Sequence, residues 1–134
     1  MEINQEKELL LAAKQALKNA YCPYSGFAVG AALRTRSGRI FMGCNVENAS
    51  YGATLCAEQC AISKAVSEGE REFTAIAVVS AAGKWTPPCG ICRQVLLEWM
   101  PEGQVVLEKE GEPVCYLVRD LLPAAFSQDN LSEE

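Results

Sequence analysis

Apolar side chains recur at helical spacing early in the chain: Leu9, Leu10, Ala13, Leu17 and Ala20 share one face, while Lys14 and Lys18 fall elsewhere. This predicts an amphipathic helix over residues 5–20, ended before Pro23. Residues 27–35 alternate and are rich in small and β-branched side chains, Ser37-Gly38 marks a turn, and residues 39–44 run on as a second strand, so the pair reads as a hairpin. The polar stretch 45–54 reads as loop. Residues 55–68 hold few helix breakers and stop at Gly69, which tolerates the left-handed backbone of a helix end. The apolar run at 73–80 suits a buried strand. Residues 90–100 predict another short helix, ended before Pro101, and 105–108 and 114–118 predict two strands around a turn at Glu110-Gly111-Glu112. A short apolar tail at 121–126 precedes a polar, acidic end.

A hairpin, then helix, strand, helix and strands, implies an α/β architecture in which helices pack on a mixed sheet. With 134 residues, 49% of them hydrophobic, the chain is about the size of one domain. Residues 1–134 are therefore read as a single domain with flexible ends at 1–4 and 127–134.

Charge narrows the partners. A formal net charge of -5 argues against a nucleic-acid surface, because such binding draws its affinity from clustered Lys and Arg. No stretch approaches the roughly 18 apolar residues that a membrane span needs, and the start lacks the basic-then-apolar layout of a signal peptide. A cytoplasmic protein with a small-molecule substrate, no nucleic acid and no membrane is expected. Seven cysteines without an export signal read better as metal ligands or buried apolar residues than as a disulfide framework. The absence of histidine removes Ser-His-Asp and Cys-His schemes, so any transition metal must rest on sulfur, with or without carboxylate.

The strongest chemical signal is Cys56-Ala57-Glu58 followed by Pro88-Cys89-Gly90-Ile91-Cys92. A Cys-x2-Cys pair is a common zinc half-site, and Cys56, Cys89 and Cys92 as three sulfur ligands leave one place open for water. Zinc lowers the pKa of such a water to roughly 7. Both cysteine groups fall where helices should begin, so helix dipoles and free N–H groups favour the thiolates. Glu58, in the first turn, can sit beside the metal without ligating it and move protons between water, a ring nitrogen and departing ammonia. This order of residues marks zinc deaminases that attack C4 of cytosine or C6 of adenine. Cys60 offers an alternative, a fourth sulfur closing a purely structural zinc site in a non-catalytic binding module.

Nearly the whole chain resembles the small, homotetrameric, zinc-dependent cytidine deaminases. Besides the metal motif, the resemblance rests on Tyr24-Ser25-Gly26-Phe27-Ala28-Val29-Gly30-Ala31-Ala32, Gly43-Cys44-Asn45-Val46-Glu47-Asn48-Ala49, Cys92-Arg93-Gln94 and Leu121-Leu122-Pro123-Ala124-Ala125-Phe126. It implies a three-layer α-β-α fold with a mixed sheet of about five strands, and hydrolysis of cytidine or deoxycytidine to the uridine product and ammonia, as in pyrimidine salvage. It also implies that Asn45 and Glu47 bind the ribose hydroxyl, that Phe27 packs beside the nucleoside, and that backbone near Ala57 meets the amide edge of the ring. Phe126, with Tyr51 nearby, would reach the pocket of another subunit. From the residues alone, Asn45 and Glu47 read sooner as solvated loop and Phe27 as core, and the tail has the alternative of covering its own domain.

One departure concerns the residue after Cys-Ala-Glu, usually Arg in this type and here Gln59, a neutral amide that can donate a hydrogen bond to a thiolate but no charge. The expectation is a weaker Lewis acid, and room for a modified cytosine or related pyrimidine as substrate, as in blasticidin deaminases. Arg93 either restores the missing charge or makes a surface ion pair.

Overall fold

The computed structural model of the chain describes residues 1–131. Helix α1, Ile3–Ala16, starts where Gln5 Oε1 turns back to accept the Glu2 N–H at 3.2 Å. It ends in a single 3-10 turn, Leu17–Asn19, and Ala20 is already extended. Apolar spacing carried the predicted helix to residue 20. The chain leaves it sooner because Tyr21 pairs with the loop beyond the hairpin, its N–H donating to Asn45 O and its carbonyl accepting the Glu47 N–H. Of the ends expected to be flexible, residues 3 and 4 belong to α1 and Gln128–Leu131 form one 3-10 turn, while 132–134 lie outside the described residues.

Strands β1, Val29–Thr35, and β2, Ile40–Cys44, form the expected hairpin, with Gly38 in its turn at φ 97°. Helix α2, Ala57–Ser67, follows, then β3, Phe73–Ser80, helix α3, Gly90–Trp99, and strands β4, Gln104–Lys109, and β5, Glu112–Leu117. The strand order is β2-β1-β3-β4-β5, antiparallel throughout except for β3 and β4, which α3 joins as a parallel crossover. The turn between β4 and β5 places Glu110 and Gly111 both at positive φ, as a tight two-residue hairpin requires. The three-layer α-β-α fold with a mixed five-stranded sheet is therefore as expected. No helix is long and apolar enough to cross a membrane among the described residues.

The strand alternation sends Ala32, Ala75, Ala77, Val79 and Val106 toward α1, where they bury Leu9, Leu10 and Ala13. Ala31, Leu33, Ile76, Val78 and Val105 face the other way and pack with Ala57, Ala61 and Ile62 of α2 and Leu96 of α3. Two glycines let the helices touch the sheet at backbone distance. A Cβ at Gly30 would lie 2.1 Å from Ala13 O, and one at Gly43 would lie 2.5 Å from both Ala57 O and Ala61 N. Gly43 thus seats the first turn of α2, which carries Cys56 and Glu58. Gly43→Ala should destabilise the chain by about 1–3 kcal/mol, because its new neighbours are backbone and cannot rotate away. Chemical denaturation checks this, and an unchanged midpoint would contradict the close seating.

Candidate metal and active site

Cys56 is the N-cap of α2, with extended backbone (φ -74°, ψ 157°), and Cys89 is the N-cap of α3 (φ -70°, ψ 172°). Cys92 stands in the first turn of α3 and is 0% exposed. Pro87 and Pro88 precede Cys89 and start α3 at Gly90. The crossover brings the two helix N-termini to the same edge of the sheet, and the three sulfurs lie within 4.8 Å of one another. A zinc–sulfur bond of ~2.3 Å places the sulfurs of a tetrahedral site roughly 3.8 Å apart, so the donor set fits a zinc ion in both chemistry and spacing. Cys60 is not in the cluster, so the closed four-sulfur alternative finds no support among the described residues.

Sharing one space perturbs the thiols. The Cys56 thiol is drawn down to about 7, chiefly by a hydrogen bond from the Cys92 thiol, against its own burial and the charge of Glu58. The same bond, with burial and the charge of Glu58, pushes Cys92 far up. One sulfur therefore ionises readily while its neighbour holds its proton, and full ionisation of the trio calls for a cation.

Glu58 is 4% exposed, and burial raises its carboxyl above the usual range. It shares a cavity of about 210 Å³ with the three cysteines, lined also by Phe27, Val78 and Asn45. Strongly perturbed titratable groups converging in one apolar cavity are a common mark of an active site. A second hollow of about 260 Å³ shares Thr54 with the first and is lined by Tyr24, Ser25, Glu47 and Tyr51. The Tyr24 and Tyr51 rings pack there with centroids 5.9 Å apart.

The structure brings Phe27, Asn45 and Ala57 to the first hollow and Glu47 to the second. Asn45 also fastens the entry to β1: its Oδ1 accepts the Val29 N–H at 3.0 Å and its Nδ2 donates to Phe27 O at 2.8 Å. That side chain occupies the place of a ladder partner, which is why β1 begins at Val29 rather than at residue 27. Glu47 accepts from the Tyr24 N–H at 3.0 Å, the Ser25 N–H at 3.1 Å and the Ser25 hydroxyl. The Ser25 hydroxyl leads in holding its carboxyl below the ordinary value, so Glu47 is ionised and fixed in direction. Phe126 stands apart, 60% exposed, and lines neither hollow.

Two residues expected behind the metal also tie down the backbone around it. The Gln59 Oε1 accepts the Cys56 N–H at 3.0 Å, completing a capping box in which cysteine stands where Ser or Thr is usual. Arg93 makes no ion pair among the described residues, so the surface ion pair finds no support there; its Nε donates to Pro88 O at 2.8 Å, directly before Cys89, and its Nη1 to Leu121 O at 3.0 Å. The sequence reading also passed over Ser25, which holds Glu47, and over Val29, Thr54, Val78 and Thr86 as cavity lining. Only the motif around Tyr24-Ser25 signalled any of these.

Comparison with known proteins agrees with this geometry. Residues 3–108 match the family model for the cytidine and deoxycytidylate deaminase zinc-binding region. A cytidine deaminase of Halalkalibacterium halodurans is 46% identical over 127 residues, covering 93% of this chain and 96% of its own. A blasticidin-S deaminase of Bacillus cereus is 33% identical over 109 residues, covering 75% of this chain and 78% of its own. Among solved structures, cytidine deaminase from Burkholderia pseudomallei superposes with a TM-score of 0.85 at 50% identity, covering 90% of this chain and 98% of that one.

Proposed function

From the premise that the chain belongs to the cytidine and deoxycytidylate deaminase family, we propose that it is a zinc-dependent hydrolase converting cytidine and deoxycytidine to their uridine counterparts with release of ammonia. The observation that carries this reading is the convergence of three sulfurs and a buried carboxyl in one cavity. Cys56, Cys89 and Cys92 hold the zinc. The ion supplies Lewis acidity that brings a water within reach of ionisation near neutral pH. Glu58 collects the proton released as water adds to C4 of the cytosine ring and delivers it to N3, then takes the proton of the new C4 hydroxyl and passes it to the amine as the C4–N bond breaks and the carbonyl forms. Its buried position suits this work, since burial moves its pKa toward the working pH and so lets it both accept and give. Phe27 packs against the nucleoside, and backbone near Ala57 orients the ring edge.

The two hollows that share Thr54 support a division of labour. The base occupies the hollow with Glu58, which Asn45 also lines, and the ribose reaches past Thr54 toward the ionised Glu47. Glu47, its direction set by Ser25, accepts from a sugar hydroxyl. Free cytosine lacks that hydroxyl and forgoes a hydrogen bond to a charged group, so kcat/KM for the bare base should be about 10–10²-fold lower than for cytidine. Ammonia release from cytidine, deoxycytidine, 5-methylcytidine and cytosine tests this, and equal turnover of base and nucleoside would overturn the assignment of Glu47. Including a blasticidin-type substrate in the panel addresses the second reading, which the Bacillus cereus relative favours.

We propose further that the protein works in the cytoplasm as a homotetramer of single-domain chains, with Phe126 of each chain completing a neighbour's pocket. Support comes from seven free cysteines, which suit a reducing compartment, and from Phe126 and Tyr51, 60% and 73% exposed on an isolated chain. Sedimentation of the assayed sample at four chain masses is the expected result; a monomer would refute the shared site.

A further inference from the structure

We infer that Arg93 is a positioning residue tying the backbone just ahead of Cys89 to the C-terminal tail, so that retention of the metal and seating of the tail rise and fall together. The inference rests on the reading that Cys56, Cys89 and Cys92 hold zinc, and goes beyond it by linking that site to residues 121–126.

The contacts are specific. Arg93 follows a ligand directly, and its own N–H donates to Cys89 O at 2.9 Å as part of α3. Its side chain then folds back to the preceding residue, Nε donating to the carbonyl of buried Pro88 at 2.8 Å. The other arm of the same plane, Nη1, donates to Leu121 O at 3.0 Å. Gln94 continues the pattern, its Nε2 donating to Phe126 O at 2.8 Å. The tail is thus held at both ends, and between them Ala124 adopts a left-handed backbone at φ 52° without being glycine. A non-glycine residue keeps that conformation only where its surroundings over-determine it.

A guanidinium is a rigid planar fork, so its two bonds fix the relative positions of Pro88 O and Leu121 O. A lysine ammonium on a flexible stem carries the same charge and reaches one carbonyl, not both in that geometry. Loosening the Pro88 carbonyl frees the turn that presents Cys89, and loosening Leu121 O frees the tail that carries Phe126. Coupling of this kind is reciprocal: whatever the tail does to the hold on the metal, the metal does to the tail.

The test uses the full-length, zinc-loaded protein. Zinc release is followed with an excess chromogenic chelator, and amide hydrogen exchange is read at residues 121–126, with the central strand β3 as control. Arg93→Lys should release zinc roughly tenfold faster than wild type and exchange faster at 121–126, with β3 protection unchanged. Gln94→Ala, which frees only the Phe126 end and keeps the Arg93 fork, should speed exchange near residue 126 and raise zinc release by less than Arg93→Lys does. In wild type, stripping the zinc should speed exchange at 121–126 in protein that keeps its far-UV spectrum.

Zinc release from Arg93→Lys within about twofold of wild type, or tail exchange indifferent to zinc in wild type, overturns the inference. Faster exchange in β3 to the same degree as in the tail also overturns it, since that is a general loss of stability. If Arg93→Lys does not fold, the wild-type comparison alone decides. Metal analysis keeps the two readings apart: wild type without zinc defeats the metal site itself, whereas zinc-loaded protein with no coupling defeats only the tie.

Discussion

Replacing Glu58 with Gln should lower kcat for cytidine by ~10²–10⁴-fold while the zinc content stays at the wild-type level. The amide keeps the shape of the carboxyl and its place in the cavity, but cannot take a proton from water or give one to N3 and the leaving amine. Glu58 lies outside the three-sulfur cluster, so the substitution removes no ligand. Stability should not suffer. Burial raises the Glu58 pKa, so ionising it costs folding free energy that is absent at low pH and grows as pH climbs through the folded-state value. A neutral amide avoids that cost, and without zinc the variant should be at least as stable as zinc-free wild type above neutral pH. Steady-state kinetics with metal analysis of the same sample checks the claim. A variant keeping more than about a tenth of wild-type kcat would show that another group moves the protons.

Cys92→Ser should abolish both zinc retention and turnover, and should lower the stability of protein prepared with zinc. The serine oxygen is nearly isosteric in this buried first turn of α3, so packing changes little and the lost sulfur dominates. Ligand binding to the native state stabilises it by about 4 kcal/mol where free zinc is 1,000 times its Kd, and the variant forgoes that gain. Denaturation of both proteins with and without added zinc measures it: wild type should respond to the metal and Cys92→Ser should not. Equal response would mean that zinc binds elsewhere.

These two residues were legible in the sequence because their placement is local. Cys56-Ala57-Glu58 and Pro88-Cys89-Gly90-Ile91-Cys92 each occupy one helix start, and the spacing alone decides which side chains reach past the helix end. Strand β3 was legible to the residue, as an apolar run bounded by turn signals. What depends on distant partners was not. The early end of α1 comes from Tyr21 pairing with Asn45 and Glu47, and the late start of β1 from the Asn45 side chain acting in place of a backbone partner. Gln59 carries both an acceptor and donors, and only the fold reveals that its acceptor is spent on the helix cap. The charge of Arg93 suggested an electrostatic role, whereas its partners are two carbonyls, one of them 28 residues away.

A zinc ion held by Cys56, Cys89 and Cys92 in the cavity where Glu58 works is the premise of the chemistry. Its most direct test is to measure zinc content and ammonia release from cytidine in one sample, as purified, after chelation, and after zinc is restored. The prediction is about one zinc per chain, with activity falling and returning in proportion to the metal. Full activity in zinc-stripped protein would contradict it.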